Sequence, residues 1–458
     1  MESGLDLKLS YETLWKFIIR PPRDIYKESM LGSKNFRYKK KKYHRKDYEI
    51  MSSQGYMMKC SFIEPLPEYR SSIEMPVVLY LHGNSSSRLE GLNIAEHLLK
   101  RDINLFVVDF AGCGLSEGEY ISLGYHESND VGNIIDFLEK IPGVGNVGLW
   151  GRSMGAATTM IYSHRDKRVK AICLDSPFAD FSRLAKELTS KQINLPGFLV
   201  SGILSIVGST ILKKNGLDID KLKPIDSAEK TFQPAIFIHA INDELISVQH
   251  TLDLFNKYGG QEKSLKCCDK GGHNTRRNSM IMNEIGEFFK KYLFIDEERT
   301  ENDFNNNTII NNNSIYENIG INKKNNNDND LSRSNSTEED DEPFNDKTIE
   351  KIEYYKKKEQ IEKKQMNDIQ YLLKSMRQPE IQKAFNKDIK SNTVNKNNTK
   401  KDNNNNNKNE DNKKINNNLI NNDNKNINKK NEVKNNDIMN SNINFNNWKK
   451  GGKINNNH

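Results

Sequence analysis

Cysteine is scarce here and has no pattern. The five cysteines, Cys60, Cys113, Cys173, Cys267 and Cys268, are odd in number and lack metal-ligand spacing, and the adjacent pair cannot readily bridge to itself. A disulfide scaffold is thereby excluded, and the thiols are expected to be reduced in a reducing compartment. No metal or other cofactor is expected. The opening MESGLDLKLSYETLWKFIIRPPR has early acids and no long apolar core, so it does not read as a secretory signal. It offers neither a Gly at position 2 for myristoylation nor a nearby cysteine for palmitoylation. An excess of one charge is missing as well. Against 62 acidic residues stand 69 basic ones, a net charge of +7 that lies largely in an Asn-rich tail, and no nucleic-acid partner is expected.

Long apolar runs are rare. One segment, Ile193 to Leu212, approaches the roughly 20 residues of a bilayer span. Pro196, Gly197, Gly202, Gly208 and several serines interrupt it, and it falls inside a domain whose later strands must return to the same sheet, so it is expected in a cap over that sheet. The expected location is cytoplasmic, with peripheral membrane contact through that cap or through Arg37 to Lys46 (RYKKKKYHRK) as the membrane alternative. That basic run could meet anionic lipid or nucleic acid or act as a nuclear-localisation-like signal, but its plainer reading is a solvated entry to the first strand.

Composition changes sharply near Asp296. Before it, apolar runs alternate with Gly and Pro punctuation, as in a chain that buries a core; after it, Asn, Lys, Asp and Glu dominate, and such a stretch cannot offset its ordering entropy. The expected organisation is a folded domain over 1–296 with a cap insertion at about 180–232, a low-complexity acidic and Asn-rich linker over 297–346, an isolated solvated helix over 347–377 and a disordered Asn/Lys-rich tail over 378–458. The helix formers of Lys347 to Arg377 carry apolar residues too sparsely for a coiled coil.

Within the domain, strand-like segments from Tyr43 to Phe62 flank SSQG, with Gly55 where a hairpin needs positive φ. Short apolar runs follow at Val77 to Leu81, Leu105 to Asp109, Val147 to Trp150, Ala171 to Leu174 and Ala235 to His239, and they read as strands buried on both faces of a parallel sheet. Helix-like stretches lie between them, including Leu89 to Lys100 and Asn129 to Lys140. The alternation predicts a mostly parallel, doubly wound α/β sheet.

The chemistry centres on Gly151-Arg152-Ser153-Met154-Gly155, placed between a strand and a helix-compatible run. In a nucleophile elbow the serine sits on a strained turn, and the residues two before and two after it must lack a side chain. A serine hydroxyl needs a histidine to take its proton and a carboxylate to orient that histidine, in the chain order Ser, acid, His. His273, in a Gly turn after the strand-like Ser264 to Cys268, is the expected base. Asp243, just past a parallel strand, is the favoured acid, with Glu244 and Asp175 as rivals. Backbone N–H groups of Asn84 and Met154 would hold the oxyanion, and His82 would support the Asn84 loop.

The blocks LYLHGNSSSR, VVDFAGCGLSEGE, GLWGRSMGAAT, LDSPFADF, HAINDELIS and GGHNTRRN resemble those of α/β-hydrolase proteins labelled serine aminopeptidase-like, common in plants and apicomplexans. The resemblance runs from Phe17 to about Leu293 and implies the α/β-hydrolase fold with a helical cap. It also places Ser153, Asp243 and His273 on the family's triad and Asn84 and Met154 on its oxyanion hole. Asn242 departs from the family, which usually has a further acid there. A looser similarity links the blocks to protein depalmitoylases, whose N-terminal cysteine cluster this sequence lacks. The expected activity is hydrolysis of a small-molecule acyl or lipid ester, or of an acylated protein, as an esterase or thioesterase working through an acyl-enzyme. The alternatives are a serine peptidase and a non-catalytic scaffold that acts through its tail.

Overall fold

The computed structural model describes residues 12–192, 197–294 and 349–375. One nine-stranded sheet organises the domain: β1 (Asn35–Tyr38), β2 (Lys41–Met51), β3 (Met57–Pro65), β4 (Met75–Leu81), β5 (Asn104–Val108), β6 (Val144–Arg152), β7 (Val169–Asp175), β8 (Ala235–Ala240) and β9 (Lys263–Cys268). The spatial order is β1-β2-β3-β5-β4-β6-β7-β8-β9. The pairs β1–β2, β2–β3 and β3–β5 are antiparallel, and every pair from β5 onward is parallel. The short apolar runs thus form the parallel half as expected. Along β4, Val77, Leu79 and Leu81 enter one buried cluster while Val78 and Tyr80 enter the other, which is why the run is apolar throughout and not alternating.

The hairpin expected around Gly55 is present, with that glycine at φ +84°. The strand β1 was not anticipated. Its turn into β2 is made by Lys39 and Lys40 at φ 46° and 66°, values that Gly and Asn normally supply, so the sequence carries no turn signal there. Arg37 to Lys46 is therefore a hairpin, and several of its charges have acidic partners: Lys41 with Asp102, Arg45 with Asp47 and Lys46 with Glu64.

Helices cover both faces. These are α1 (residues 12–19), α2 (Arg88–Leu92), α3 (Ala95–Leu99), α4 (Glu127–Leu138), α5 (Met154–Ser163), α6 (Phe181–Gln192), α7 (Gly197–Asn215), α8 (Ile225–Ala228), α9 (Val248–Lys257), α10 (Ser279–Leu293) and α11 (Ile349–Ser375). The single helix expected over Leu89 to Lys100 is in fact the pair α2 and α3. A Cβ on Gly91 would stand 2.5 Å from Val107 and 2.9 Å from Tyr80, so the helix lies hard against the sheet there. Just beyond, the Asn93 and Ile94 N–H groups reach only three residues back, to Glu90 and Gly91.

Between β7 and β8, α6, α7 and α8 form the expected cap. The apolar segment Ile193 to Leu212 falls mostly in α7, residues 193–196 lying outside the described ones, and among the described residues no helix is long and apolar enough to cross a membrane. The island expected as an isolated solvated helix is α11, but it is not solvated all round. Lys358 Nζ lies 3.1 Å from an Asp24 carboxylate oxygen and 3.4 Å from Ser86 Oγ, and the Tyr354 hydroxyl also bonds Asp24. The low-complexity linker and the Asn-rich tail lie outside the described residues.

Candidate active site

At the carboxyl end of the parallel strands, β6 breaks into α5 through Ser153, whose backbone sits at φ 51°, ψ −113°, a region costly for any L-residue. The neighbouring glycines are forced. A Cβ on Gly151 would come within 2.1 Å of the Gly155 carbonyl, and one on Gly155 within 1.9 Å of the Leu81 carbonyl. The turn is pinned by the Ser153 N–H donating to the Asp175 carbonyl at 2.8 Å.

His273 follows Gly271, which takes φ +90°, and it is buried beside Ser153. Its Nδ1 lies 2.7 Å from Asp243 Oδ2 and its Nε2 3.0 Å from Ser153 Oγ. Burial alone would raise the Asp243 pKa, but hydrogen bonds from His239 and His273, the His273 charge and the Ile246 N–H outweigh it and hold the carboxyl well below the usual range. An ionised carboxylate only accepts, so the His273 Nδ1 carries hydrogen, and in the neutral imidazole that tautomer leaves Nε2 as the acceptor facing the serine hydroxyl. The other Asp243 oxygen accepts from the backbone N–H groups of Leu245 (3.0 Å) and Ile246 (2.8 Å).

The two rival acids have other partners. Asp175 takes a forked contact from Arg277, at 3.0 Å from Nε and 2.7 Å from Nη2, and Glu244 accepts the His273 backbone N–H at 3.2 Å. The loop after β4 brings Gly83 and Asn84 over the elbow. A Cβ on Gly83 would stand 3.7 Å from the Ser153 Cβ. Among the described residues, the backbone N–H groups of Asn84 and Met154 make no hydrogen bond. His82 is fully buried, bonds the Gly83 carbonyl through Nδ1 at 2.7 Å and accepts the Phe110 N–H on Nε2 at 3.2 Å, and so supports that loop as expected.

Several contributors were not anticipated. His239, at the end of β8, donates from Nε2 to the Ile246 carbonyl at 2.9 Å and lies 3.4 Å from Asp243 Oδ2. Arg152, inside the elbow motif, pairs with Glu90 through Nη1 and donates from Nη2 to the His273 carbonyl at 2.8 Å. Glu90 in turn accepts the Gly83 N–H at 3.0 Å. Burial pushes the Glu90 carboxyl up, yet the Arg152 and Lys358 charges and its hydrogen bonds bring it down to about 2. The only signal in the sequence for any of these was Arg152's place in the motif.

Two cavities meet at this point. One, of about 310 Å³, opens on Ser153 and His273 and is walled by apolar cap residues including Leu184, Leu188, Ile203, Leu204 and Val207. The other, of about 570 Å³, lies beyond Asn84, Arg152 and Asn274, which line both, and has many polar and charged residues in its wall, with α11 along one side.

Residues 76–198 match the family described as alpha/beta hydrolase fold. Over 229 residues the chain is 26% identical to the uncharacterised protein YqkD of Bacillus subtilis, covering 49% of this chain and 72% of that one. It is 27% identical to a lysophosphatidylserine lipase of Xenopus tropicalis over 193 residues, 40% of this chain but only 47% of the lipase. Among solved structures, an esterase of Pyrococcus furiosus aligns with a TM-score of 0.46 at 20% identity, over 60% of this chain and 99% of the esterase. The family match and the curated relatives support an α/β-hydrolase superfamily protein.

Proposed function

We propose that this protein is a serine hydrolase that cleaves acyl esters or thioesters of lipid-like substrates, with Ser153 as nucleophile, His273 as general base and Asp243 as the acid that orients it. The observation that carries the reading is the unbroken hydrogen-bond chain from Ser153 Oγ through His273 to Asp243, placed on a backbone turn that is sterically costly. In this mechanism Ser153 Oγ attacks the acyl carbonyl as its proton passes to His273 Nε2. Negative charge builds on the carbonyl oxygen, where the Asn84 and Met154 N–H groups would receive it. His273 then returns the proton to the departing alcohol or thiol, leaving an acyl group on Ser153. Water, deprotonated by His273, releases the acid and restores the serine.

The apolar cavity supports an acyl substrate, since none of its described lining residues is a carboxylate that could hold the free amine of a peptide. Acids do line the neighbouring cavity, but four of them have basic partners: Glu90 with Arg152, Asp175 with Arg277, Asp24 with Lys358 and Glu359 with Lys363. The lipase relative supports the same direction, though the chain spans less than half of it. An acylated protein remains a substrate of the same chemical kind. Peripheral membrane contact would come through the cap, above the acyl cavity, and the setting would be the cytoplasm.

The test is covalent labelling by a fluorophosphonate probe. The wild type should label and the Ser153→Ala variant should not, with ester hydrolysis lost in parallel. Labelling that persists in Ser153→Ala would refute the assignment, and a wild type that never labels would favour the scaffold.

A further inference from the structure

The proposed reaction needs two loops at a fixed separation: the one that carries the Asn84 N–H and the one that carries His273. They follow β4 and β9, which are separated in the sheet by β6, β7 and β8. β4 and β9 do not pair directly, so side chains that reach both loops bear on their spacing.

We infer that Arg152 and Glu90 form a brace that fixes the oxyanion loop relative to the base loop, making both positioning residues for the reaction. This inference rests on the assignment of Ser153 and His273 above. One Glu90 oxygen accepts the Gly83 N–H at 3.0 Å and the other pairs with Arg152 Nη1. The second arm of the same guanidinium donates to the His273 carbonyl at 2.8 Å and to Asn274 Oδ1 at 3.3 Å. The His273 peptide is thus held at both ends, its N–H by Glu244 and its carbonyl by Arg152. On the far side, the grip on Gly83 sets the peptide that precedes Asn84. The Arg152 and Glu90 side chains are only 20% and 14% exposed, so solvent screens the pair weakly. Only a planar fork with several fixed donors serves both loops at once; a lysine ammonium at the same place would be a point charge.

Arg152 also lines both cavities, so a direct contact with substrate is the reading to distinguish. The experiment uses the full chain and measures kcat and KM on p-nitrophenyl esters, fluorophosphonate labelling rate and Tm. The variants are Arg152→Met, Arg152→Lys, Glu90→Gln, the double variant Glu90→Gln/Arg152→Met and the exchange variant Glu90→Arg/Arg152→Glu. A brace predicts that Arg152→Met and Glu90→Gln each lower kcat and labelling rate by about 10- to 100-fold, the scale of a small misplacement of reacting groups. KM should stay within about twofold, and the double variant should be no worse than the poorer single one. Arg152→Lys should recover little. The exchange variant should regain Tm through the reversed ion pair but not kcat, because arginine at 90 cannot accept the Gly83 N–H and glutamate at 152 cannot donate to the His273 carbonyl.

A raised KM at unchanged kcat would overturn the brace in favour of a substrate contact. Recovery of kcat in the exchange variant would reduce it to an ordinary ion pair, and wild-type rates in both single variants would remove it. Should Arg152→Met fail to fold, Glu90→Gln carries the test, since it keeps side-chain volume and an acceptor for Gly83. Ser153→Ala run in parallel separates the two assignments. If it is inactive while Glu90→Gln is normal, only the brace fails; if it is active, the nucleophile assignment fails first.

Discussion

Acyl-chain length is the most direct probe of the cap. The apolar cavity measures about 310 Å³ and opens on Ser153, with Leu204 of α7 in its wall. At about 30 Å³ for one water in the liquid, that space equals roughly ten water volumes, enough for a medium-length chain. Each methylene moved from water into it should gain about 0.8 kcal/mol, close to a fourfold rise in kcat/KM per carbon if the gain is fully expressed in the transition state. Hydrolysis of p-nitrophenyl esters from acetate to palmitate should therefore rise over several carbons and level off once the cavity is full. Leu204→Asp puts a carboxylate against the chain and should flatten the slope while leaving acetate hydrolysis nearly intact, because Ser153 and His273 are untouched. Aminoacyl nitroanilides measured alongside test the peptidase alternative. A flat wild-type profile, a slope indifferent to Leu204→Asp, or a preference for the nitroanilides would refute this reasoning.

Other outcomes follow from the same structure. Removing the base in His273→Ala should cost nearly as much as removing the serine, about 10⁴- to 10⁶-fold in kcat, because triad members act as a unit; a loss under 100-fold would argue against its role. Asp130, fully buried in α4, has its pKa raised by burial, opposed by the Ser53 N–H and aided by the Glu127 charge, to about 6. A carboxyl whose folded pKa is raised favours the fold when protonated. Stability should therefore fall as pH climbs from the unfolded value near 4 through 6, by on the order of 2–3 kcal/mol, and denaturant titrations of Asp130→Asn, which can still accept the Ser53 N–H, should show that slope removed. A chain ending at residue 296 should stay folded and hydrolytic, since the groups that α11 bonds, Asp24, Ser86 and Asn93, lie outside the hydrogen-bond chain from Ser153 to Asp243. Activity per labelled site more than tenfold below that of the full chain would show otherwise.

The parallel strands and the elbow were legible because their signals are local. An all-apolar run of five to seven residues reports burial on both faces, and the two glycines around Ser153 report a backbone collision that any sequence making this turn must avoid. Asp243 and His273 were legible through chain order and position after strands. The rest depends on tertiary proximity. Glu90 and Arg152 are 62 residues apart and only the fold makes them partners. His239 reads as the last residue of a strand until Asp243 is seen to curl back toward it. The strand β1 was missed because two lysines make its turn. The contacts of α11 were missed because hydropathy shows where extended apolar surface is buried, whereas this helix is tied down by hydrogen bonds, one ion pair and the packing of a single ring, Tyr354.

The conformation of Ser153 has a bearing on descent as well as on chemistry. Backbone strain of this kind costs about 1–3 kcal/mol, a sizeable part of the margin by which a domain stays folded. A glycine at 153 would relax into the same turn without that cost, so natural selection for stability alone pulls this position away from serine. On the proposed assignment, any relative in which the reaction no longer matters is under standing pressure to lose Ser153 first and keep the fold. Descendants of that kind would retain Gly151, Gly155 and the sheet while turning to binding roles, and the residue at this one position would distinguish them from working enzymes.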